Sequence, residues 1–226
     1  MAITKNGIVS SNELQEYCLP SAYKQVEYIE STGTQYISTG AEIFGSTNHG
    51  IYIDFIPTSF YNYNTIYGST LDADTNEGWI YSNGGLASRY KSIRYGTDNN
   101  ITVNSRIKYE LTKEDSTLTK IVNGTTIGTG TVSGTSNGVV LLFLSGSDYG
   151  KYKLFSCKLS KNGEIVRDFI PCIRKSDNEV GLYDLIEGTF YTNQGTGSFS
   201  YNSESDNTTN LKIYENKIMT NDFNEI

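Results

Sequence analysis

A chain of 226 residues is long enough to fold as one large β-sandwich. Its 22 Gly, 18 Tyr and only 3 Pro favour strands and tight turns, because aromatic side chains suit a pleated surface and glycine suits turns with positive φ. The net charge of −7 would repel a phosphate backbone, and no Lys/Arg cluster opposes it, so nucleic acid is excluded as an expected partner.

The sequence also carries no membrane or export signal. No stretch approaches the roughly 20 apolar residues that cross a bilayer, and residues 1–7 lack the apolar core of a secretory signal. We therefore expect a protein that is made in a cytoplasm, is soluble and does not insert into a membrane.

Alternation with a period of two, punctuated by turn residues, predicts a series of strands and no helix. The predicted strands are 24–30, 35–39, 50–56, 65–68, 79–82, 88–95, 106–112, 117–122, 125–132, 139–144, 151–160, 164–170 and 180–185.

Three segments carry the clearest local signals. Asn123-Gly124 and Asn162-Gly163 each separate two alternating runs, which predicts hairpins with type I′ turns. The run 139–144 is apolar at every position, which predicts a central strand that is buried on both sides or covered by a loop.

Residues 125–135 alternate Thr with Gly and predict a weak, exposed or edge strand. The Gly128-x-Gly130 pair within them is followed by no predicted helix, so it does not indicate a nucleotide site.

The cysteine and histidine content excludes an ordinary zinc site, since Cys18, Cys157 and Cys172 have no CxxC spacing and His49 is the single histidine. We interpret Cys157 and Cys172 as reduced, buried thiols, because a two-residue turn at 162–163 would place Cys157 opposite Asp168 rather than Cys172. His49 precedes a predicted strand and is expected in an exposed loop, with no catalytic partner nearby.

The two ends of the chain resemble each other. Residues 3–12 align with 213–222, and residues 14–17 align with 223–226; each copy reads as a short strand, a turn and a second strand. The apolar positions that recur are Ile3, Ile8, Leu14 and Tyr17 in the first copy and Ile213, Ile218, Phe223 and Ile226 in the second. An isolated hairpin is marginal in water, so we expect these ends to mediate assembly, as a homo-oligomer or on another protein. The alternative is that both ends follow the same turn rules by coincidence.

Several segments resemble a known family. Residues 24–40 (KQVEYIESTGTQYISTG), 153–158 (KLFSCK), 166–175 (VRDFIPCIRK), 180–184 (VGLYD) and 188–193 (GTFYTN) resemble concanavalin A-like and laminin-G-like jelly-roll domains of phage structural proteins and of gut bacterial surface proteins. The resemblance covers about residues 20–200, whereas residues 43–95 match nothing in it.

The resemblance implies an all-β fold, a two-sheet antiparallel jelly-roll sandwich, with short β-hairpin elements at both termini. The expected organisation is an N-terminal docking segment at 1–19, the jelly roll at 20–201, a Ser/Asn-rich linker at 202–210 and a C-terminal docking segment at 211–226.

Candidate catalytic and metal-binding residues are few. A jelly-roll glycosidase needs paired carboxylates, usually spaced Glu-x-Asp-x-x-Glu on one strand, and no such pattern occurs. Asp72, Asp74 and Asn76 place oxygen ligands at alternate positions and are a candidate calcium site, although Glu77 stands where an EF-hand loop has glycine. The alternative is a solvated acidic turn with no bound cofactor.

A loop rich in aromatic and amide residues is the best candidate for ligand binding. Tyrosine rings stack on the apolar faces of sugars while neighbouring amides bond to hydroxyls. The candidate glycan-binding residues are Tyr61, Asn62, Tyr63, Asn64, Tyr67, Trp79, Tyr81, Arg89 and Tyr90. The alternative is that these aromatic residues only cover the faces of the sheets.

The sequence and the resemblance together predict a non-enzymatic phage virion surface protein, a fibre, tail or head-decoration component, that adheres to cell-surface or environmental glycans. Its other partners would be virion proteins, and its location would be the virion surface or, alternatively, a bacterial cell surface. Two other functions stay open: a purely structural decoration protein without glycan binding, and a divergent glycoside hydrolase.

Overall fold

The computed structural model describes residues 19–60, 63–70, 76–91 and 101–202 in full, and residues 2–4, 7–9 and 93–98 as backbone. In these ranges the chain forms strands, turns and bends without a helix. None of the described residues belongs to a helix long and apolar enough to cross a membrane.

The strands are numbered in chain order. They are β1 (Ala2–Thr4), β2 (Gly7–Val9), β3 (Tyr23–Gln25), β4 (Ile29–Glu30), β5 (Ile37–Ser38), β6 (His49–Pro57), β7 (Asn64–Ser69), β8 (Glu77–Ile80), β9 (Leu86–Tyr90), β10 (Ile93–Asp98), β11 (Ile107–Glu114), β12 (Thr117–Val122), β13 (Thr125–Thr131), β14 (Val140–Leu142), β15 (Leu144–Ser145), β16 (Asp148–Tyr149), β17 (Tyr152–Lys161), β18 (Glu164–Arg174), β19 (Glu179–Asp184), β20 (Thr189–Thr192) and β21 (Ser200–Tyr201).

Two antiparallel sheets form the jelly-roll sandwich that was predicted. The small sheet has the order β10-β9-β8-β7-β14-β5. The large sheet has the order β13-β12-β11-β6-β17-β18-β19-β20, with β3 beside β18, β4 beside β17 and β21 beside β4. Strands β15 and β16 form a separate hairpin.

The main core lies between the inner faces of the two sheets as one continuous cluster. A second, smaller cluster contains Ile170, Cys172, Tyr183 and Leu185. In β6 the inward positions Ile51, Ile53 and Phe55 are buried, while the residues between them are half-buried, as the period-two alternation predicts. The sheets meet where the Tyr67 ring of the small sheet lies 6.1 Å from the Tyr109 ring of the large sheet.

Both Asn-Gly hairpins are confirmed. Asn123 and Gly124 have φ angles of 50° and 78°, and Asn162 and Gly163 have φ angles of 55° and 85°, as a type I′ turn requires. The Thr/Gly-rich strand β13 is confirmed at the edge of the large sheet, with mostly exposed side chains.

Two predicted strands are each interrupted by a residue with positive φ. The predicted strand 88–95 is in fact the hairpin of β9 and β10, which turns at Lys91 with a φ of 49°. The predicted strand 139–144 is buried from Val140 onward, but it breaks at Phe143, whose φ is 70°.

The break at Phe143 connects the two sheets. Its ring stacks on the ring of Tyr152 in the large sheet, with centroids 4.1 Å apart and an interplanar angle of 14°. The amide of Phe143 donates to the carbonyl of Ile66 at 3.2 Å, and its own carbonyl accepts from Gly150 at 2.7 Å. The backbone at this break therefore keeps its hydrogen bonds inside the core.

Cys157 and Cys172 are buried and unbridged. Burial raises the pKa of both thiols, that of Cys172 to about 12, so neither forms a reactive thiolate at neutral pH. The predicted register was wrong by one residue: Cys157 lies opposite Phe169, and Lys158 lies opposite Asp168, because a β-bulge separates Leu159 from Ser160.

His49 is not the exposed loop residue that the sequence predicted. It begins β6, is 4% exposed, and stacks on Tyr90 with ring centroids 5.6 Å apart. Its Nδ1 lies 3.1 Å from the carbonyl of Ser46, and its Nε2 has no hydrogen-bond partner among the described residues. Burial, with the nearby Lys113 charge, lowers the pKa of His49 to about 4.

The N-terminal residues 2–4 and 7–9 pair as an antiparallel hairpin in which Ile3 lies opposite Ile8. The other apolar positions of the two matched ends, Leu14, Tyr17, Ile213, Ile218, Phe223 and Ile226, lie outside the described residues. The assembly role of the ends therefore stays a prediction.

We expect His49 to make the fold acid-sensitive. His49 binds a proton near pH 6.5 in the unfolded chain but only near pH 4 in the folded protein. The free energy of unfolding therefore decreases as the pH falls between these two values. From pH 7 to pH 5 the wild-type protein should lose about 2 kcal/mol more unfolding free energy than the His49→Phe variant, which cannot titrate. Urea unfolding of both proteins at the two pH values measures this difference. Equal losses in the two proteins would contradict the lowered pKa of His49.

Candidate functional site

A cleft of about 320 Å³ opens on the outer face of the small sheet. On β8, Ile80 points into the core, so Glu77 and Trp79 point to the opposite face. Arg89 on β9 lies opposite Glu77 and shares that face. The cleft is lined by Tyr63, Thr65, Ser69, Glu77, Trp79, Arg89, Ser145, Gly146, Ser147 and Asp148.

One wall of the cleft is the hairpin of β15 and β16, which lies across β7. A Cβ atom added to Gly68 would lie 2.4 Å from the carbonyl oxygen of Leu144 and 2.6 Å from the Cβ of Ser145. Only glycine at this position allows the hairpin to approach the sheet so closely. The hairpin thereby presents Ser147 and Asp148 to the cleft.

The carboxylate of Glu77 links three strands across the cleft. One oxygen lies 2.8 Å from Nη1 of Arg89, and the other accepts a short hydrogen bond from the hydroxyl of Ser145. The Glu77 side chain is 16% exposed and that of Arg89 is 35% exposed. The pair is therefore held at the cleft surface with its charges matched.

Three aromatic rings form one end of the site. The Tyr63 ring lies 6.2 Å from that of Trp79 and 5.7 Å from that of Tyr81, and the Arg89 guanidinium lies 5.4 Å from the centre of the Trp79 ring. Tyr63 has a φ of 60° and is 47% exposed, whereas Trp79 is only 3% exposed. Trp79 is therefore buried beneath Tyr63 and packs against it, whereas the Tyr63 ring is exposed and can contact a ligand.

The structure brings together some of the predicted glycan-binding residues. Tyr63, Trp79 and Arg89 line the cleft, and Tyr81 packs against the first two. Tyr61 and Asn62 lie outside the described residues.

Three of the predicted residues belong to the interior instead. Tyr67 and Tyr90 are at most 1% exposed and belong to the core, so neither offers a ring face to a ligand. Asn64 is 1% exposed; its amide nitrogen donates to the carbonyl of Ser59 and its oxygen accepts from the amide of Lys151. These side chains stabilise the fold beneath the site.

Sequence reasoning missed the polar half of the cleft. Glu77 was interpreted as the end of an acidic turn, but it begins β8. Ser145, Ser147 and Asp148 were missed because the run before them reads as a continuous buried strand. The signal that could have found them is the Ser-Gly-Ser-Asp sequence at 145–148, which is typical of a turn.

Of the three candidate calcium ligands, only Asn76 lies within the described residues, and it is 1% exposed. Its amide nitrogen donates to the hydroxyl of Ser136 at 2.8 Å, and its amide oxygen accepts from the backbone of Lys91 at 3.2 Å. The Asn76 side chain therefore ties two loops together inside the protein. The described residues contain no group of three or more His, Cys, Asp or Glu arranged to hold a metal ion, and Asp72 and Asp74 lie outside them.

No protein-family model matches this chain, and no curated protein does. Solved structures share its fold. A candidate carbohydrate-binding protein of Bacteroides ovatus ATCC 8483 matches with a TM-score of 0.54 and 12% identity over 80% of this chain and 61% of that one. The CBM40 of the Ruminococcus gnavus IT-sialidase, bound to α2,3-sialyllactose, matches with a TM-score of 0.50 and 13% identity over 60% of this chain and 90% of that one.

Domains LG4-5 of the mouse laminin α1 chain match with a TM-score of 0.50 and 12% identity over 63% of this chain and 44% of that one. At these identities the likeness concerns the fold alone. The shared fold is a two-sheet antiparallel jelly roll.

We predict that Gly68→Ala destabilises the protein by about 1 to 3 kcal/mol, because the new methyl group meets the backbone of Leu144. Gly128→Ala is the matched control: its Cβ would meet no atom within 4 Å, so a change within about 0.5 kcal/mol is expected. Urea unfolding measures both values. A Gly68→Ala protein as stable as the control would contradict the close approach of the hairpin.

Proposed function

We propose that this protein is a non-enzymatic, lectin-like module that binds glycans in the cleft on the outer face of the small sheet. The observation that carries the proposal is the exposed Tyr63 ring at the end of a cleft whose other lining groups are mainly hydroxyls and charged side chains. An aromatic ring beside hydrogen-bonding groups matches the two kinds of surface that a sugar presents.

The geometry supports a division of tasks within the cleft. The Tyr63 ring offers an apolar face to the C–H face of a sugar, and its packing against Trp79 and Tyr81 fixes its orientation before binding. The Ser147 hydroxyl and the Asp148 carboxylate lie on the wall formed by the hairpin, where they can bond to sugar hydroxyls.

The binding role is also favoured over hydrolysis. Both carboxylate oxygens of Glu77 are engaged, one by Arg89 and one by Ser145. A glycosidase needs carboxyl groups that face the scissile bond, whereas the Glu77 carboxylate faces Arg89 and Ser145. The fold likeness to a candidate carbohydrate-binding protein and to a sialyllactose-bound CBM40 adds support of a coarser kind.

The volume of the cleft is at the lower end of the range for small-molecule pockets, about 300 to 1,000 Å³, so it suits one terminal sugar or a short segment. Such a site binds weakly alone and gains strength from many copies. We propose that copies are displayed on a virion surface through the ends of the chain; the matched apolar patterns at 3–17 and 213–226 support this part of the proposal.

We predict that Tyr63→Ala weakens glycan binding about 5- to 30-fold, because removing an exposed stacking ring costs about 1 to 2 kcal/mol. The matched control is Tyr201→Ala, which removes another exposed tyrosine, 39% accessible, from β21 beside the large sheet. The measurement is a glycan array on the full chain, followed by calorimetric titration of the strongest glycan with both variants.

Equal affinity for wild-type protein and Tyr63→Ala, with the fold intact by circular dichroism, would place the site elsewhere. A loss of binding in Tyr201→Ala of the same size would show that the effect is not specific to the cleft.

A further inference from the structure

We infer that the cleft selects uncharged sugars and discriminates against acidic ones such as sialic acids, uronic acids and sulfated sugars. The inference rests on the proposed glycan binding and adds to it the chemical class of the ligand. It follows from how the charges in the cleft are paired.

The lining residues carry one formal positive charge, on Arg89, and two formal negative charges, on Glu77 and Asp148. The cleft therefore has a formal charge of −1, and the whole chain has −7. Both the local and the global field repel an anionic ligand.

Arg89 is the one residue of the lining that could bind a sugar carboxylate or sulfate by charge, and it is already paired. Its Nη1 lies 2.8 Å from Glu77, and its guanidinium packs near the Trp79 ring. An incoming carboxylate would have to share this cation with Glu77, so two like charges would lie side by side.

Displacing Glu77 is also unfavourable. Its side chain is 16% exposed, and its carboxylate is held by the Ser145 hydroxyl of the hairpin as well as by Arg89. If Arg89 turned to an anionic ligand, the largely buried Glu77 carboxylate would lose its counter-ion. The free-energy cost of that loss exceeds the gain from the exposed ion pair between Arg89 and the ligand.

An uncharged sugar meets no such cost. Its hydroxyls can donate to the exposed Asp148 carboxylate and exchange bonds with Ser147, while its apolar face contacts the Tyr63 ring. The Glu77–Arg89 pair then stays intact as part of the cleft wall.

The test is a glycan array in which each neutral oligosaccharide is printed beside its sialylated, sulfated and uronate-containing derivatives, such as lactose beside α2,3-sialyllactose. The strongest neutral glycan and its acidic derivatives are then titrated calorimetrically against the full chain. Each titration is repeated at about 50 and about 500 mM NaCl, which separates a charge effect from a steric one.

We expect the neutral glycan to bind at least about tenfold more tightly than its acidic derivatives at low salt, with an affinity that salt changes less than about twofold. An acidic derivative that binds as tightly as its neutral parent, or more tightly, would overturn this inference and leave the proposed glycan binding in place. If no glycan of either class binds, the proposed function itself fails.

Asp148→Asn tests the electrostatic origin of the preference. The side chain is exposed on the hairpin, so the substitution should leave the fold intact while it removes one negative charge from the cleft. The low-salt ratio between neutral and acidic affinities should fall at least about threefold in this variant and stay unchanged in the Tyr201→Ala control. A ratio that is the same in Asp148→Asn and in wild type would contradict the charge argument.

Discussion

Both the core and the site depend on the break in the backbone at Phe143, where φ is 70°. A positive φ at a residue other than glycine costs about 1 to 2 kcal/mol of folding free energy. Burial of the Phe143 ring stabilises the fold by about 2 to 3 kcal/mol, which offsets that cost. The ring stacks on Tyr152 of the large sheet, and the chain beyond it leaves the small sheet as the β15–β16 hairpin. The break at Phe143 therefore places a ring between the two sheets and positions the hairpin that forms one wall of the cleft.

Much of the fold could be predicted, because its signals are local. Asn-Gly turns require positive φ at two successive residues, and both predicted hairpins formed with that geometry. The break at Phe143 could not be predicted, since a run of six apolar residues looks the same whether its backbone continues or turns. His49 was misplaced for a related reason: its ring stacks on Tyr90, which is distant in sequence.

The site was only half predictable. The aromatic character of residues 60–67 indicated a binding surface, and Tyr63 lies in the cleft. Periodicity could not separate Tyr63 from the buried Tyr67, because a β-bulge between Thr65 and Tyr67 changes which face the side chains take. The polar wall of the cleft is formed by residues some 80 positions after Tyr63. The contact between Glu77 and Ser145 exists only once the chain has folded, so no local sequence pattern indicates it.

We propose that the ligand lies on the outer face of the small sheet, between Tyr63 and the hairpin of β15 and β16. The most direct test of this placement is a two-dimensional NMR titration of the ¹⁵N-labelled protein with the strongest glycan from the array. We expect the shifted amides to cluster at Tyr63, at 77–79, at Arg89 and at 145–148. Shifts centred on the outer face of the large sheet, where the rings of Tyr28 and Phe155 lie 5.5 Å apart, would contradict it.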